Sequence, residues 1–130
     1  MQLQLNMEIT QENLENWFCG ALEGGSNYWC ELQVGEINRK NFKEGEPFVD
    51  NLATSFMKDD NFSFKVYDAE SDEDELELLG EVTWDSIKKA LETMHKTYPD
   101  SFNVLFFGDA DADHCDIWFQ LATMGDVVFG

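Results

Sequence analysis

Basic residues are scarce in this sequence. Eight Lys and Arg stand against 27 Asp and Glu, which gives a formal net charge of −19. Such a surface repels phosphate groups, so DNA, RNA and anionic membranes are disfavoured as direct ligands. The charge also costs stability through self-repulsion, and it therefore indicates either a solubility device or a surface that meets a basic protein.

Cysteines, long apolar runs and linkers are also lacking. Cys19, Cys30 and Cys115 are an odd number without paired spacing, which predicts reduced thiols and a cytosolic setting. No signal peptide is recognisable, and no apolar stretch approaches the roughly 20 residues that span a bilayer. Without repeats or linkers, the 130 residues are expected to form one domain over residues 1–130.

The residues that are present indicate a packed core beside one acidic surface. Hydrophobic residues make up 43% of the chain and include eleven Phe and four Trp, far more than a disordered acidic chain carries. Residues 1–65 hold 11 acids and 5 bases, whereas residues 66–130 hold 16 acids and 3 bases. This asymmetry favours an acidic patch over an even coat.

Periodicity predicts a domain of mixed helices and strands. Period-2 alternation predicts strands at residues 1–7, 27–35, 61–68 and 76–82, the last two forming a hairpin with a charged tip. Residues 101–107 fit either a short helix or a strand. We expect an α+β fold, a single compact domain in which a mainly antiparallel sheet of three to five strands packs with three or four helices.

The helix signals are mostly local. Thr10, Thr83 and Asp111 are expected N-caps, because their side chains can accept a hydrogen bond from a free N–H of the first turn. Gly24 and Gly25 are expected to end the first helix by taking a positive φ. Helices are predicted at about residues 11–23, 47–58, 84–98 and 112–124.

The run Gly-Asp-Ala-Asp-Ala-Asp looks like the start of a calcium loop. Asp109, Asp111 and Asp113 would take the first three ligand positions. A calcium loop also needs a central Gly and a final bidentate Glu, and here His114 and Gln120 stand in those places. The run therefore predicts the first turn of a helix capped by Asp111, where acids favour the positive end of the helix dipole.

Other metal or catalytic constellations are weak. A zinc site from His114 and the cysteines would need ligands from three elements, with no Cys-x-x-Cys pair to nucleate it. His114 and Cys115 are adjacent and point to different helix faces, so they do not make a base and nucleophile pair. Glu92 and His95 fit a solvated helix face better than an acid/base pair. We expect no metal, no cofactor and no enzymatic activity.

The segment from Glu23 to Trp29 suggests a small-molecule pocket. Paired glycines followed by two large rings with polar tips can line a pocket, although a helix end that runs into a core strand explains the same residues. A nucleotide signal is the ligand class that this hypothesis considers. The candidate pocket residues are Glu23, Gly24, Gly25, Tyr28, Trp29, Gln120 and Asp126.

Residues 68–77 form the most acidic segment, with seven carboxylates in ten positions. Duplex DNA carries one charge per roughly 1.7 Å of axis, so a row of carboxylates can imitate phosphate spacing for a protein that grips DNA. A solvated loop is the alternative explanation. The candidate partner-binding residues are Asp68, Glu70, Asp72, Glu73, Asp74, Glu75 and Glu77, with Asp109, Asp111 and Asp113.

Four segments resemble a family of small acidic phage and prophage proteins. They are Ala21-Leu-Glu-Gly-Gly-Ser-Asn-Tyr-Trp-Cys30, Lys96-Thr-Tyr-Pro99, Asp111-Ala-Asp113 and Gln120-Leu-Ala-Thr-Met-Gly-Asp-Val-Val-Phe-Gly130. The family carries Glu-Gly-Gly-x-x-Tyr-Trp and ends in Leu-Gln-x-Ala-x-Phe-Gly-Glu-Ile-Val-x-Gly. Here Met124 replaces an aromatic residue or Leu, and Asp126 replaces Glu. The resemblance implies a mobile-element setting in a bacterial host cytoplasm and no established activity.

The leading hypothesis is a non-enzymatic phage-type protein that binds a basic, nucleic-acid-binding surface of a host defence protein, in the manner of anti-CRISPR or anti-restriction DNA mimics. The alternative is a protein that sequesters a nucleotide signal in the candidate pocket. A third possibility is that the charge serves only solubility and that an apolar face acts, for example in a dimer. Binding that is indifferent to salt would support the third possibility over mimicry.

Overall fold

The computed structural model describes residues 7–72 and 74–130. Within those ranges the chain forms five α-helices and a three-stranded antiparallel sheet, which confirms the α+β class. The strand predicted at residues 1–7 lies outside the described residues apart from Met7. The elements are α1 (Gln11–Gly20), a π-helical turn (Ala21–Gly25), β1 (Cys30–Gln33), a 3₁₀ turn (Glu36–Arg39), α2 (Phe48–Lys58), β2 (Ser63–Asp68), β3 (Leu78–Thr83), α3 (Trp84–Thr97), α4 (Pro99–Phe107) and α5 (Ala112–Met124).

The sheet has the strand order β1-β2-β3, and both pairs are antiparallel. β2 and β3 form the predicted hairpin around the acidic segment, with a break in register between Val66 and Tyr67. One face of the sheet packs into the core through the buried side chains of Phe64, Val66 and Val82. The other face is turned toward solvent, as is common for antiparallel sheets.

The start of β1 differs from the prediction. A strand over residues 27–35 was expected, but the chain turns first, and the N–H groups of Trp29 and Cys30 both donate to the Ser26 carbonyl, at 3.2 and 3.3 Å. The turn places Trp29 in the core at 1% exposure and leaves Tyr28 49% exposed. The predicted strand was too long because alternation alone does not distinguish a strand from a turn of this kind.

The helical path ends at Gly25, as predicted, but not through a positive φ. It continues from α1 through the π-helical turn, and in the described part of the chain only Gly45 and Gly125 have a positive φ. The expectation of a positive φ at Gly24 and Gly25 was therefore wrong. These residues permit a close approach to α5, because a Cβ on Gly25 would collide with the backbone of Ala112.

Helix α5 is the central helix of the domain. Asp111 caps it, as predicted, by accepting a hydrogen bond from the His114 N–H at 3.1 Å, and Gly125 ends it with a φ of 77°. The helix packs against α1, α3, α4, the π-helical turn and β3, and every residue from 118 to 123 is buried. A helix that is buried all round forms part of a core, so its buried amide at Gln120 needs hydrogen-bond partners.

The other helices lie close to their predicted positions. Helix α2 begins directly after Pro47, and α3 begins after the N-cap Thr83, whose hydroxyl accepts from the Ser86 N–H at 3.0 Å. Residues 101–107, which fitted a helix or a strand, belong to α4, and Pro99 occupies the first turn of that helix. With α4 the described chain has five α-helices rather than three or four.

Aromatic side chains dominate the core. The Phe18 ring contacts those of Phe56, Phe64, Trp118 and Phe119, with ring centroids 5.2 to 6.4 Å apart. Pairs of this kind add about 0.5–1.5 kcal/mol beyond the area that they bury. These contacts hold the inner face of the sheet against α1, α2 and α5, and they confirm the predicted aromatic core.

Candidate interaction surface

A polar cluster joins the turn before β1 to α5. Asp116 Oδ1 accepts hydrogen bonds from the Ser26 hydroxyl at 2.7 Å and from the Trp29 indole N–H at 2.8 Å. Asp116 Oδ2 accepts from Gln120 Nε2 at 2.9 Å. Hydrogen bonds to an ionised acceptor are roughly twice as strong as neutral ones. The carboxylate therefore fixes the turn at residues 26–29 on α5.

Gln120 also holds the end of the chain. Its Oε1 accepts from the N–H groups of Val128 and Phe129, both at 2.8 Å, and its Nε2 donates to the Phe129 carbonyl at 3.0 Å. Together with the bond to Asp116, all four hydrogen-bonding positions of the amide are used. The Phe129 ring stacks on Trp29 with centroids 5.1 Å apart, so the last residues of the chain cover the turn.

The candidate pocket residues divide between core and surface. The polar groups of Trp29 and Gln120 are engaged by the protein itself. Gly24 and Gly25 pack against α5, and a Cβ on Gly24 would lie 3.0 Å from the Ala112 Cβ. A nucleotide pocket among these residues stays a prediction. The exposed members are Glu23, Tyr28 and Asp126.

The acidic hairpin loop has an ordered base. The Asp68 N–H donates to the Glu77 carbonyl at 2.8 Å, and Asp68 Oδ1 accepts from the Glu70 N–H at 2.9 Å. The Ser71 hydroxyl donates to the Asp68 carbonyl at 2.6 Å and accepts from the Glu77 N–H at 3.2 Å. Asp68 is thus half-buried and structural, whereas Glu73 lies outside the described residues. The exposed acids of the loop are Glu70, Asp72, Asp74, Glu75 and Glu77.

The turn at residues 26–29 brings this loop close to the start of α5. On one side the Ala69 N–H donates to the Trp29 carbonyl at 2.9 Å, and on the other Asp116 binds the Ser26 hydroxyl. The base of the hairpin loop and the second turn of α5 therefore both contact this turn. The exposed acids at the start of α5 are Asp109, Asp111 and Asp113.

Tyr28 is the exposed aromatic side chain of this region. Partial desolvation raises the pKa of Tyr28, and the carboxylates of Asp116 and Asp113 raise it further. The hydroxyl therefore stays protonated and can donate a hydrogen bond over the whole neutral range. We define the acidic face as Tyr28 with Glu70, Asp72, Asp74, Glu75, Glu77, Asp109, Asp111 and Asp113.

Basic side chains are confined to two stretches of the chain. All eight lie in residues 39–65 and 88–96, whereas residues 1–38, 66–87 and 97–130 hold 21 acids and no base. Among the described residues, no Lys or Arg side chain forms an ion pair with a carboxylate of the acidic face. The negative charge of this face is therefore available to a partner. The pairs are Lys40–Asp59 at 3.2 Å and Lys89–Asp85 at 3.0 Å.

The three thiols lie apart from any acid cluster suited to a metal ion in the part of the chain that the structure describes. Among the residues that the structure describes, no group of three or more His, Cys, Asp or Glu side chains is placed to hold a metal ion. Burial raises the pKa of Cys30 and of Cys115 to about 12, and a hydrogen bond to Glu23 raises the pKa of Cys19. These thiols stay protonated near neutral pH and are therefore weak nucleophiles.

Comparison with protein-family models, curated proteins and solved structures finds no match. The resemblance to small acidic phage proteins therefore stays a prediction. Across the described ranges, no helix has both the length and the apolar character needed to cross a membrane. Function is accordingly inferred from the geometry and charge of this chain.

Sequence reasoning missed the role of Asp116. The helix dipole is sufficient to explain an acid near the start of α5. Asp116 instead receives hydrogen bonds from Ser26 and Trp29, which lie 90 and 87 residues away along the chain. The one local signal is the four-residue spacing to Gln120, which places the two side chains next to each other on a helix. That spacing indicates a pair but not its distant partners.

Proposed function

We propose that the protein binds a basic, nucleic-acid-binding surface of a host defence protein through its acidic face, and that it occupies that surface in place of DNA. The partner is a nuclease or defence complex in the bacterial host cytoplasm, a setting that the phage-family resemblance suggests. Binding alone blocks the partner, so the proposed activity is inhibition of the anti-CRISPR or anti-restriction type. It requires no catalysis and no direct contact with nucleic acid.

The observation that carries this proposal is the segregation of charge. Three stretches of the chain hold 21 acids without a single base, and the fold brings the hairpin loop and the start of α5 to the turn at residues 26–29. An uncompensated field of one sign steers an oppositely charged partner and raises its association rate. A basic DNA-binding surface has the complementary sign, because it binds phosphates.

The ordered loop base supports the same function. The hydrogen bonds around Asp68 and Ser71 hold the loop without using the exposed carboxylates. A preorganised set of charges loses less conformational entropy on binding than a mobile acidic tail does. Tyr28 adds an exposed aromatic ring, and Tyr is among the residues that contribute most to binding energy at interfaces.

Neutralising the hairpin is expected to weaken capture of the partner about fivefold or more, since an exposed charge pair is worth about 0.2–1 kcal/mol and five are removed. Wild-type and variant protein would be immobilised and exposed to bacterial lysate at low salt. Captured proteins would be identified and tested for binding to duplex DNA. The hairpin-neutral variant carries Glu70→Gln, Asp72→Asn, Asp74→Asn, Glu75→Gln and Glu77→Gln, and it keeps Asp68, which orders the loop.

A matched control removes the same number of charges elsewhere. Its five positions are exposed and lie outside the acidic face. Wild-type protein and this control should capture the same DNA-binding proteins, and the hairpin-neutral variant should lose them. Equal capture by both variants would mean that the hairpin charges have no special role, and the proposal would be rejected. The control carries Glu12→Gln, Glu36→Gln, Glu44→Gln, Glu46→Gln and Glu92→Gln.

A further inference from the structure

The solvent side of the sheet carries a row of side chains that the core does not use. Strand register places Glu31 opposite Tyr67 and Tyr67 opposite Leu78, so these three side chains lie side by side across the sheet. The next row is Gln33, Lys65 and Glu81. We call these six residues the outer sheet face, because Phe64 and Val66, which alternate with them along β2, point into the core.

The outer sheet face contains an adjacent apolar pair. Leu78 is 53% exposed, and Tyr67 beside it is half-buried. The solvent face of an antiparallel sheet is ordinarily polar, so a paired aromatic and leucine are unusual there. Aromatic side chains beside charged ones are common in protein interfaces.

The apolar row is continuous with the acidic face. Tyr67 is followed by Asp68 at the end of β2, and Leu78 is preceded by Glu77 at the start of β3, so both lie at the base of the hairpin loop. Glu31 adds an exposed carboxylate on the other side of Tyr67. The negative charge of Glu31 beside the Tyr67 ring therefore complements a cationic group of a partner. Lys65 is the one base among the six residues of the outer sheet face.

We infer that the outer sheet face is the apolar centre of the partner-binding surface and that it receives an arginine side chain of the basic partner. The guanidinium would stack on the Tyr67 ring and pair with the Glu31 carboxylate, while Leu78 covers its aliphatic stem. Arginine fits better than lysine, because its planar group stacks on aromatic faces and binds carboxylates with two parallel hydrogen bonds. This inference rests on the proposed function and names the chemistry of its partner.

Peptides of eight arginines and of eight lysines provide the test, since they carry equal charge and differ in the group that meets the ring. Binding would be measured by calorimetry at fixed salt on the wild type, on Tyr67→Leu and on the hairpin-neutral variant. Wild-type protein should prefer the arginine peptide by about two- to five-fold, the range of an exposed cation–π contact. Tyr67→Leu should reduce this preference, because it keeps an apolar side chain and loses the aromatic face, while Tyr28 and the carboxylates of the acidic face are unchanged.

Two further measurements distinguish a failure of this inference from a failure of the proposed function. Phe107→Leu removes an aromatic side chain that is 74% exposed outside this face, and it should keep the arginine preference. An arginine preference that is undiminished in Tyr67→Leu, or that is absent from the wild type, overturns this inference and leaves the proposed function standing. If the hairpin-neutral variant binds both peptides as tightly as the wild type does, the proposed function itself fails. Chemical denaturation of Tyr67→Leu confirms that the variant is folded.

Discussion

Replacing Gly25 with Ala is expected to lower the free energy of unfolding by about 1–3 kcal/mol, the usual cost of forcing an extra group into a packed site. The added Cβ would collide with the backbone of Ala112 and lie 2.8 Å from the Cβ of Asp116. Both belong to the first turns of α5, which cannot move away without loosening the bonds from Asp116 to Ser26 and Trp29. Urea denaturation followed by far-ultraviolet circular dichroism measures the loss.

Gly35→Ala is the matched control for this substitution. A Cβ at Gly35 meets nothing within 4 Å, and the backbone there has φ −62° and ψ 152°, which alanine adopts without strain. It should leave stability unchanged or raise it by about 0.4–1 kcal/mol, because alanine restricts the unfolded chain. If Gly25→Ala is as stable as the wild type, the close approach of the π-helical turn to α5 is not as described.

The second large effect is expected at Gln120. Gln120→Met keeps the length of the side chain but leaves the Val128 and Phe129 N–H groups and one oxygen of Asp116 without their partners. A buried polar group that loses its partner costs about 1–3 kcal/mol. The groups freed here lie near the end of the chain and can bind water instead, so we expect the total loss of unfolding free energy to stay within that range. Urea denaturation measures the total loss of unfolding free energy.

Amide hydrogen exchange shows where in the chain Gln120→Met lowers the stability. The N–H groups of Val128 and Phe129 should exchange much faster in Gln120→Met, since the amide oxygen that accepts both of them is gone. Gln33→Met provides the control, because Gln33 is exposed on β1 and should cost little. Unchanged protection at residues 128 and 129 would show that Gln120 does not hold the end of the chain.

The helix caps were predictable because their physics is local. Thr83 accepts from Ser86 and Asp111 accepts from His114, three residues away in each case, so the sequence alone contains both partners. The same holds for the hairpin of β2 and β3, whose alternating pattern flanks a polar segment. Predictions of this kind depend on neighbours in sequence, and the structure confirmed them.

The turn at residues 26–29 was not predictable, because its cause lies far away in the chain. The predicted strand extended the alternation of residues 30–34 back into the turn, whereas the carboxylate that selects a turn belongs to Asp116. Gly24 and Gly25 were misassigned for the same reason, since the close approach that requires a missing Cβ is a property of packing against α5. In both cases tertiary contacts override the local conformational preference of the sequence.

The candidate surface was partly predictable. The seven carboxylates of residues 68–77 are visible in the sequence, and the structure exposes those it describes except Asp68, which is half-buried and orders the loop. The approach of the loop to the start of α5 depends on the bond between Ala69 and Trp29, which no local pattern contains. The apolar row of Tyr67 and Leu78 likewise depends on strand register, which the sequence left open.

Competition with duplex DNA tests the central claim most directly. The protein would be titrated into a complex of the captured host protein with fluorescently labelled duplex DNA, at several salt concentrations. We expect complete release of the DNA by wild-type protein, weaker binding of the protein as salt rises, and little release by the hairpin-neutral variant. If the host protein binds DNA and this protein at the same time, with an affinity that does not depend on salt, occupation of the DNA site by the acidic face is contradicted.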